Sequence, residues 1–290
     1  MPESISGVHS NSALKRALLF MVFSTASFVL MNAFLKYLNR IPTFELVFFR
    51  SLGSLVLATI FLLRHKINIL GNHRKLLILR AFLGLSSMSL FFMSIKYLPI
   101  GTAVSLRYLA PIFAALFAVV LLKEKLKHIQ WVFFVIAFLG VLILRGFDVT
   151  MNTTGLVLVL VASVLSGLVF VVIRKIGKGE HPLVIVNYFM FMGTILGGLL
   201  AINVWKQPQG IEWLFLLFLG VFGYFGQLYM TKAFQMAKTN LVAPLKYIEV
   251  IFTICVGILW FGETYTFWSI LGLSLIIAAL VLNTLVSNKH

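Results

Sequence analysis

Ionisable side chains enter the long apolar stretches of this sequence at only a few places, and those places hold its chemistry. Arg107-Tyr108 and Lys246-Tyr247 are two copies of one cation–tyrosine pair. Arg107 stands about six residues inside an apolar run, which at 1.5 Å per residue is roughly 9 Å deep. Lys246 is at similar depth in its own run. A charge at the centre of a membrane helix costs about 2.5–3.5 kcal/mol, so it turns toward protein or a wet interior. Two such cations meeting there would hold an anionic group, with the tyrosines stacking or hydrogen-bonding. The alternative is snorkelling to the membrane surface plus an internal ion pair. Glu249, three residues after Lys246, is the one acidic residue well inside a run. It fits a protonatable coupling group or a structural partner for Lys246.

Further polar residues sit at helical spacing. Arg50 shares a face with Ser54, and Glu45 is a candidate partner one to two turns away; Arg50 fits solute contact or structural pairing. Arg80, near a run's start, reads as structural or gating. Gly220, Tyr224, Gln227 and Thr231 share one helix face, which makes Tyr224 and Gln227 lining candidates, with interhelical hydrogen bonding as the alternative. Asn32 and Asn187 fit the same reading. Ser24, Ser27, Ser163 and Ser166 suit close packing, and Glu124 and Glu263 suit structural roles at run ends. The six histidines lie in tails or near run ends, with no HExxH and no Cys/His cluster, so no metal site or cofactor is expected. Phosphate-cradling glycine loops are missing, and no nucleophile–base–acid set is visible. The lone Cys255 permits no intrachain disulfide.

These residues need a bilayer around them. Hydrophobic residues make up 61% of the 290, and charged residues 11%, against about 45–50% and 25% in soluble domains. Runs of about twenty apolar residues without alternation read as membrane helices. Ten are expected, near 17–38, 43–63, 76–97, 101–122, 129–145, 154–174, 182–204, 212–236, 240–261 and 266–286. With the N-terminus cytoplasmic, inside segments hold 15 Lys and Arg and outside segments 5, so the positive-inside rule places both termini in the cytoplasm. The net charge of +16 is thereby a topology and lipid signal, not a nucleic-acid one. Trp131, Trp205, Trp213, Trp260 and Trp268 fall at run ends, as an aromatic belt requires.

Shifted by 139 residues, the sequence lays run 1 on run 6 through run 5 on run 10. Ser24 meets Ser163, Ser27 meets Ser166, Gly84 meets Gly223, Arg107-Tyr108 meets Lys246-Tyr247 and Glu124 meets Glu263. Five spans is an odd number, so the second half enters from the opposite side. Such inverted repeats place a solute site at their interface near the midplane. The expected organisation is a cytoplasmic tail over 1–16, a five-helix repeat over 17–145, a connecting loop over 146–153, an inverted repeat over 154–286 and a tail over 287–290.

Leu79-Arg80 through Gly84, Ser94-Ile-Lys-Tyr-Leu-Pro-Ile-Gly-Thr-Ala103, Ala110-Pro111, Leu122-Lys-Glu124, Trp131 and Gly140-Val-Leu-Ile143 resemble the EamA family of the drug/metabolite transporter superfamily. The second half is similar through Ala233, Asn240, Lys246 and Gly262-Glu263. Lys123 departs from the usual Gly before Glu124, and Val250 has no proline to match Pro111. The resemblance implies a ten-helix inverted-repeat carrier with a central cavity, in a bacterial plasma membrane. The resulting expectation is a secondary transporter of a small, carboxylate-bearing metabolite such as an amino acid. It would work by alternating access, with proton or counter-solute coupling, as a monomer or homodimer. A channel, a non-transporting receptor and, less readily, an intramembrane enzyme are the rivals.

Overall fold

The computed structural model describes residues 4–122, 128–147, 152–176, 179–236 and 248–287. Among these the regular structure is helical, with no strand. The helices are α1 (Ser4–Tyr37), α2 (Thr43–Arg64), α3 (Arg74–Ile95), α4 (Ile100–Arg107), α5 (Ala110–Leu122), α6 (His128–Phe147), α7 (Thr153–Ile176), α8 (Pro182–Ala201), α9 (Glu212–Met236), α10 (Ile248–Phe261) and α11 (Phe267–Ser287). Among the described residues, seven stretches are long and apolar enough to cross a bilayer, and three shorter apolar helices accompany them. The exterior is greasy throughout: Leu259 is 80% exposed, Val120 74% and Phe267 71%, an arrangement stable only against lipid. All five tryptophans are exposed, on the outer surface near helix ends.

Two features differ from the expected outline. The first helix begins at Ser4, within the segment expected as a polar tail. The fourth apolar run is not one helix. It breaks at Tyr108–Leu109 into α4 and α5. Pro111 explains the break, because it has no N–H to give the Arg107 carbonyl four residues back. The backbone compensates with tighter bonds, Tyr108 N–H to Ser105 O at 3.1 Å and Leu109 N–H to Leu106 O at 3.1 Å.

The helices pack as a repeat predicts. Under the 139-residue shift α1 corresponds to α7, α2 to α8, α3 to α9 and α6 to α11. α1 packs on α9, as α7 packs on α3; α2 packs on α9, as α8 packs on α3; α7 packs on α5, as α1 packs on α10. Two pairs exchange into themselves: α2 with α8, and α6 with α11. The same exchange holds for individual residues. Thr59 Oγ1 donates to Asn187 Oδ1 at 3.0 Å; their counterparts are Gly198 and Phe48, and a Cβ on Gly198 would stand 3.1 Å from the Phe48 ring. The two halves are therefore related by a pseudo-two-fold axis that runs through the α2/α8 crossing.

Small residues make the close crossings possible. Gly53 and Gly220 face each other, such that a Cβ on Gly220 would be 2.9 Å from Gly53 Cα. Ser24 Oγ, on α1, donates to Gly226 O of α9 at 2.8 Å. At the corresponding contact of α3 and α7, Ser87 Oγ donates to Ala162 O at 2.7 Å and lies 2.7 Å from Ser166 Oγ. Hydrogen bonds between close-packed small residues hold helices together where lipid supplies no hydrophobic drive.

Candidate functional site

Glu249 is the junction of the two halves. Its carboxylate, 6% exposed, accepts from Tyr108 Oη at 2.6 Å and from Asn32 Nδ2 at 3.3 Å. Three elements converge there: α1 brings Asn32, the break between α4 and α5 turns Tyr108 inward, and α10 carries Glu249. Thr253 Oγ1 donates to the Glu249 carbonyl at 2.6 Å, which steadies that turn of α10. The Asn32 Oδ1 atom is buried with no hydrogen-bond partner. A buried carboxylate gripped by charge-assisted donors and bordered by an open acceptor is equipped to hold a proton or a donor group of a solute.

Arg107 stands beside this cluster. Its guanidinium lies over the Phe91 ring, 4.1 Å from the centroid, and within Coulombic reach of Glu249. Lys246 and Tyr247 lie outside the described residues. Sequence spacing thus located Arg107, Tyr108, Asn32 and Glu249, but not that they meet.

Arg50 and Arg80 make a second polar centre, with Arg50 within Coulombic reach of Arg107. Both guanidiniums pack on the ring of Phe189, at 5.6 Å and 4.5 Å from its centroid. Arg50 is 3% exposed and Arg80 7%. Arg50 Nη1 reaches Met88 Sδ at 2.7 Å and Met190 Sδ at 3.7 Å, but its Nε has no partner, nor have Arg80 Nε and Nη1. The expected Glu45 partner is absent: Glu45 Oε2 instead accepts the Lys206 N–H at 3.0 Å, because Glu45 lies at the start of α2 and faces the segment after α8. A cation–π contact is worth about 0.5–2 kcal/mol, while an unpaired buried ion costs several, so the ring alone does not offset two guanidiniums. Arg80, read from sequence as structural or gating, shares the site of Arg50; its depth alone gave no sign of this.

The remaining candidates fall elsewhere. Asn187 bonds across to Thr59, as interhelical glue. Tyr224 is buried against Phe225 on α9, and Gln227 is half-buried one turn on. Gly220 of the same stripe is pressed on Gly53, so this face meets protein.

Glu263, read from sequence as structural at a run end, finds partners at one end of the bundle that had no sequence signal. Gly262, at φ +60°, ends α10 in a left-handed turn, with Glu263 N–H bonding back to Gly257 O at 3.0 Å. The turn aims Glu263 at the start of α4, where its two carboxylate oxygens accept the Ile100 N–H, each at 3.0 Å. Lys36 Nζ lies 3.3 Å from Glu263 Oε1, and Tyr265 Oη donates to Glu263 Oε2 at 2.9 Å. Burial, then the Glu263 charge, raises the Tyr265 phenol above its usual range, so it stays a donor.

The family model of the EamA-like transporters matches residues 14–146 and again residues 153–285. The chain belongs to the EamA-like transporter family. Its two matched segments start and end 139 residues apart, which is the repeat read from sequence. This EamA-like chain is 28% identical over 274 residues to the pseudopaline exporter CntI of Pseudomonas aeruginosa, covering 92% of this chain and 95% of that one. It is 26% identical to human solute carrier family 35 member G1 (90% and 77% covered) and 27% identical to a Rickettsia felis S-adenosylmethionine uptake transporter (85% and 83%). A solved crystal structure, 17% identical, superimposes with a TM-score of 0.67 over 96% of this chain and 99% of its own, which shows a shared fold. The EamA-like chain is accordingly a multi-pass membrane protein and a transporter of a small molecule.

Proposed function

We propose that this EamA-like chain is a secondary carrier that moves a small, carboxylate-bearing metabolite by alternating access. Ten spans, two inverted five-helix repeats over 17–145 and 154–286, and cytoplasmic termini form the framework of this reading. The observation that carries it is the Glu249 carboxylate bridged to Tyr108 and Asn32 of the first half. A buried acid tying two repeat-related bundles at a broken helix supports a site where binding and rearrangement are one event, since broken spans mark carrier sites.

Each group has a role in this reading. Arg107 and its repeat counterpart Lys246 attract the solute carboxylate, with Tyr108 and Tyr247 beside them. Asn187, bonded to Thr59, ties α8 to α2, and the face of α9 that carries Tyr224 and Gln227 braces the bundle around the site. Glu249 alternates between a proton and the solute's donor group, which couples transport to a proton or a counter-solute. The relatives are named for uptake and for export, so sequence likeness leaves the direction to the gradient. A bacterial plasma membrane fits two of the three. An intramembrane enzyme would need a nucleophile or metal set, and relatives named as transporters favour the carrier.

The test is a thermal-shift screen of the purified protein against amino-acid-derived metabolites, followed by flux of the hits into liposomes under a pH gradient. Glu249→Gln is expected to abolish proton-dependent accumulation while exchange persists. Unchanged pH dependence would remove Glu249 from the mechanism.

A further inference from the structure

Arg50 and Phe189 are 139 residues apart, and they touch. A residue that contacts its own repeat counterpart lies on the pseudo-two-fold axis. Their neighbours obey the same symmetry: a Cβ on Gly84 would meet the Phe189 ring at 3.4 Å and Arg80 Nη1 at 3.4 Å, and one on the counterpart Gly223 would meet Arg50 Nε at 3.4 Å. The axis therefore carries a guanidinium where the second repeat has a ring, and Arg80 adds another guanidinium to that ring. Both distances run to the same ring centre, so the guanidiniums are at most the sum of the two apart.

Neither has an acidic partner among the described residues: the ion pairs there are Lys36–Glu263, Arg40–Glu212 and His73–Glu180. Three guanidinium nitrogens, Arg50 Nε and Arg80 Nε and Nη1, are buried and unbonded. Glu249, the acid near Arg107, already accepts from Tyr108 and Asn32. The Arg50–Arg80 charge is thus left to a ligand, and fixed guanidinium forks match oxyanions two bonds at a time. The Met88 and Met190 thioethers beside Arg50 are weak acceptors that an oxyanion would displace.

We propose that Arg50 and Arg80, packed on Phe189 at the pseudo-two-fold axis, form an oxyanion subsite that takes a carboxylate or phosphate group of the transported solute. It uses other side chains than the Arg107–Lys246 pair of the proposed function and lies within Coulombic reach of Arg107, so the solute bears two acidic positions, or one doubly charged one. This assignment rests on the carrier reading, which supplies the solute.

Succinate and inorganic phosphate, with neutral succinamide and chloride as controls, are titrated calorimetrically into the purified protein in a zwitterionic detergent. The wild type should bind succinate or phosphate at least tenfold more tightly than succinamide or chloride. Arg50→Gln and Arg80→Gln should each weaken that binding tenfold or more, and Arg50→Lys should fall between. If a Gln variant does not fold, the Lys variants decide: an unchanged succinate-to-succinamide ratio in folded Arg50→Lys and Arg80→Lys would overturn the subsite. Equal affinity for succinate and succinamide, or unchanged affinity in both folded Gln variants, would overturn the subsite. Native mass spectrometry separates the sources: phosphatidylglycerol that stays bound to wild type, is lost from both Gln variants and is not displaced by succinate or phosphate would make the oxyanion a lipid headgroup and overturn the solute assignment. Succinate flux into liposomes is read in parallel. Binding without flux would count against the carrier reading alone, and flux with no Arg dependence against the subsite alone.

Discussion

The Arg50 guanidinium lies over the ring of Phe189, the residue that occupies its own position in the second repeat. The symmetry of the backbone is thereby joined to an asymmetry of charge at the axis. A perfectly repeated protein would put two like charges or two rings there. A guanidinium facing a ring avoids like-charge repulsion and leaves a cation for a ligand.

Close approach at the α2/α9 crossing depends on missing side chains. A Cβ on Gly220 or Gly53 would stand 2.9 or 3.0 Å from the other glycine's Cα, and backbone cannot swing aside. Gly220→Ala and Gly53→Ala should each destabilise by about 1–3 kcal/mol, read as a lowered Tm in detergent. Gly210→Asn, at φ +50° with nothing nearby, should cost about 1 kcal/mol or less, since asparagine visits the left-handed region more readily than alanine. Equal losses at all three would contradict the packing account.

Tyr108 supplies the short bond to Glu249. Tyr108→Phe keeps the ring and removes the donor, and a hydrogen bond to a charged group is worth about 1.5–3 kcal/mol. Transport should fall roughly tenfold or more with expression kept and Tm lowered by only a few degrees. Flux equal to wild type would separate Tyr108 from the mechanism.

Glu263 does two jobs: it pairs with Lys36 and caps α4 through Ile100. Glu263→Ala should therefore lower Tm more than Lys36→Ala, because a lost cap adds about 0.5–2 kcal/mol. The double variant should lose less than the two singles combined, since they share the ion pair. Equal single effects that simply add would show that the contact carries no stability.

The proposed topology is tested by labelling. In a Cys255→Ser background, a membrane-impermeant maleimide should label Gln209→Cys in intact cells and Asn68→Cys only after permeabilisation. Both positions are exposed at span ends. The reverse pattern would invert the orientation drawn from the Lys and Arg bias.

Much of the architecture was legible because lipid imposes it: apolar length gave the helices, and a 139-residue offset gave the pairing of α1 with α7 and α2 with α8. The break at Tyr108 was signalled by Pro111, yet run length alone read through it. Pairings across the bundle were not legible, because they depend on how two distant helices rotate against each other. Glu45 turned to the Lys206 backbone and not to Arg50. Arg80 joined Arg50 only through Phe189, an apolar residue with no chemical signal of its own. Asn32, Tyr108 and Glu249 were each noticed for being polar in an apolar run, but their meeting is a tertiary fact.

Counterflow in proteoliposomes addresses the carrier claim most directly. Vesicles loaded with an unlabelled solute from the thermal-shift screen should take up the labelled solute faster than empty vesicles, with saturation at high concentration, because a site exposed alternately returns faster when occupied. Uptake that rises linearly with concentration and ignores the solute inside would mean an open pore and would contradict the account.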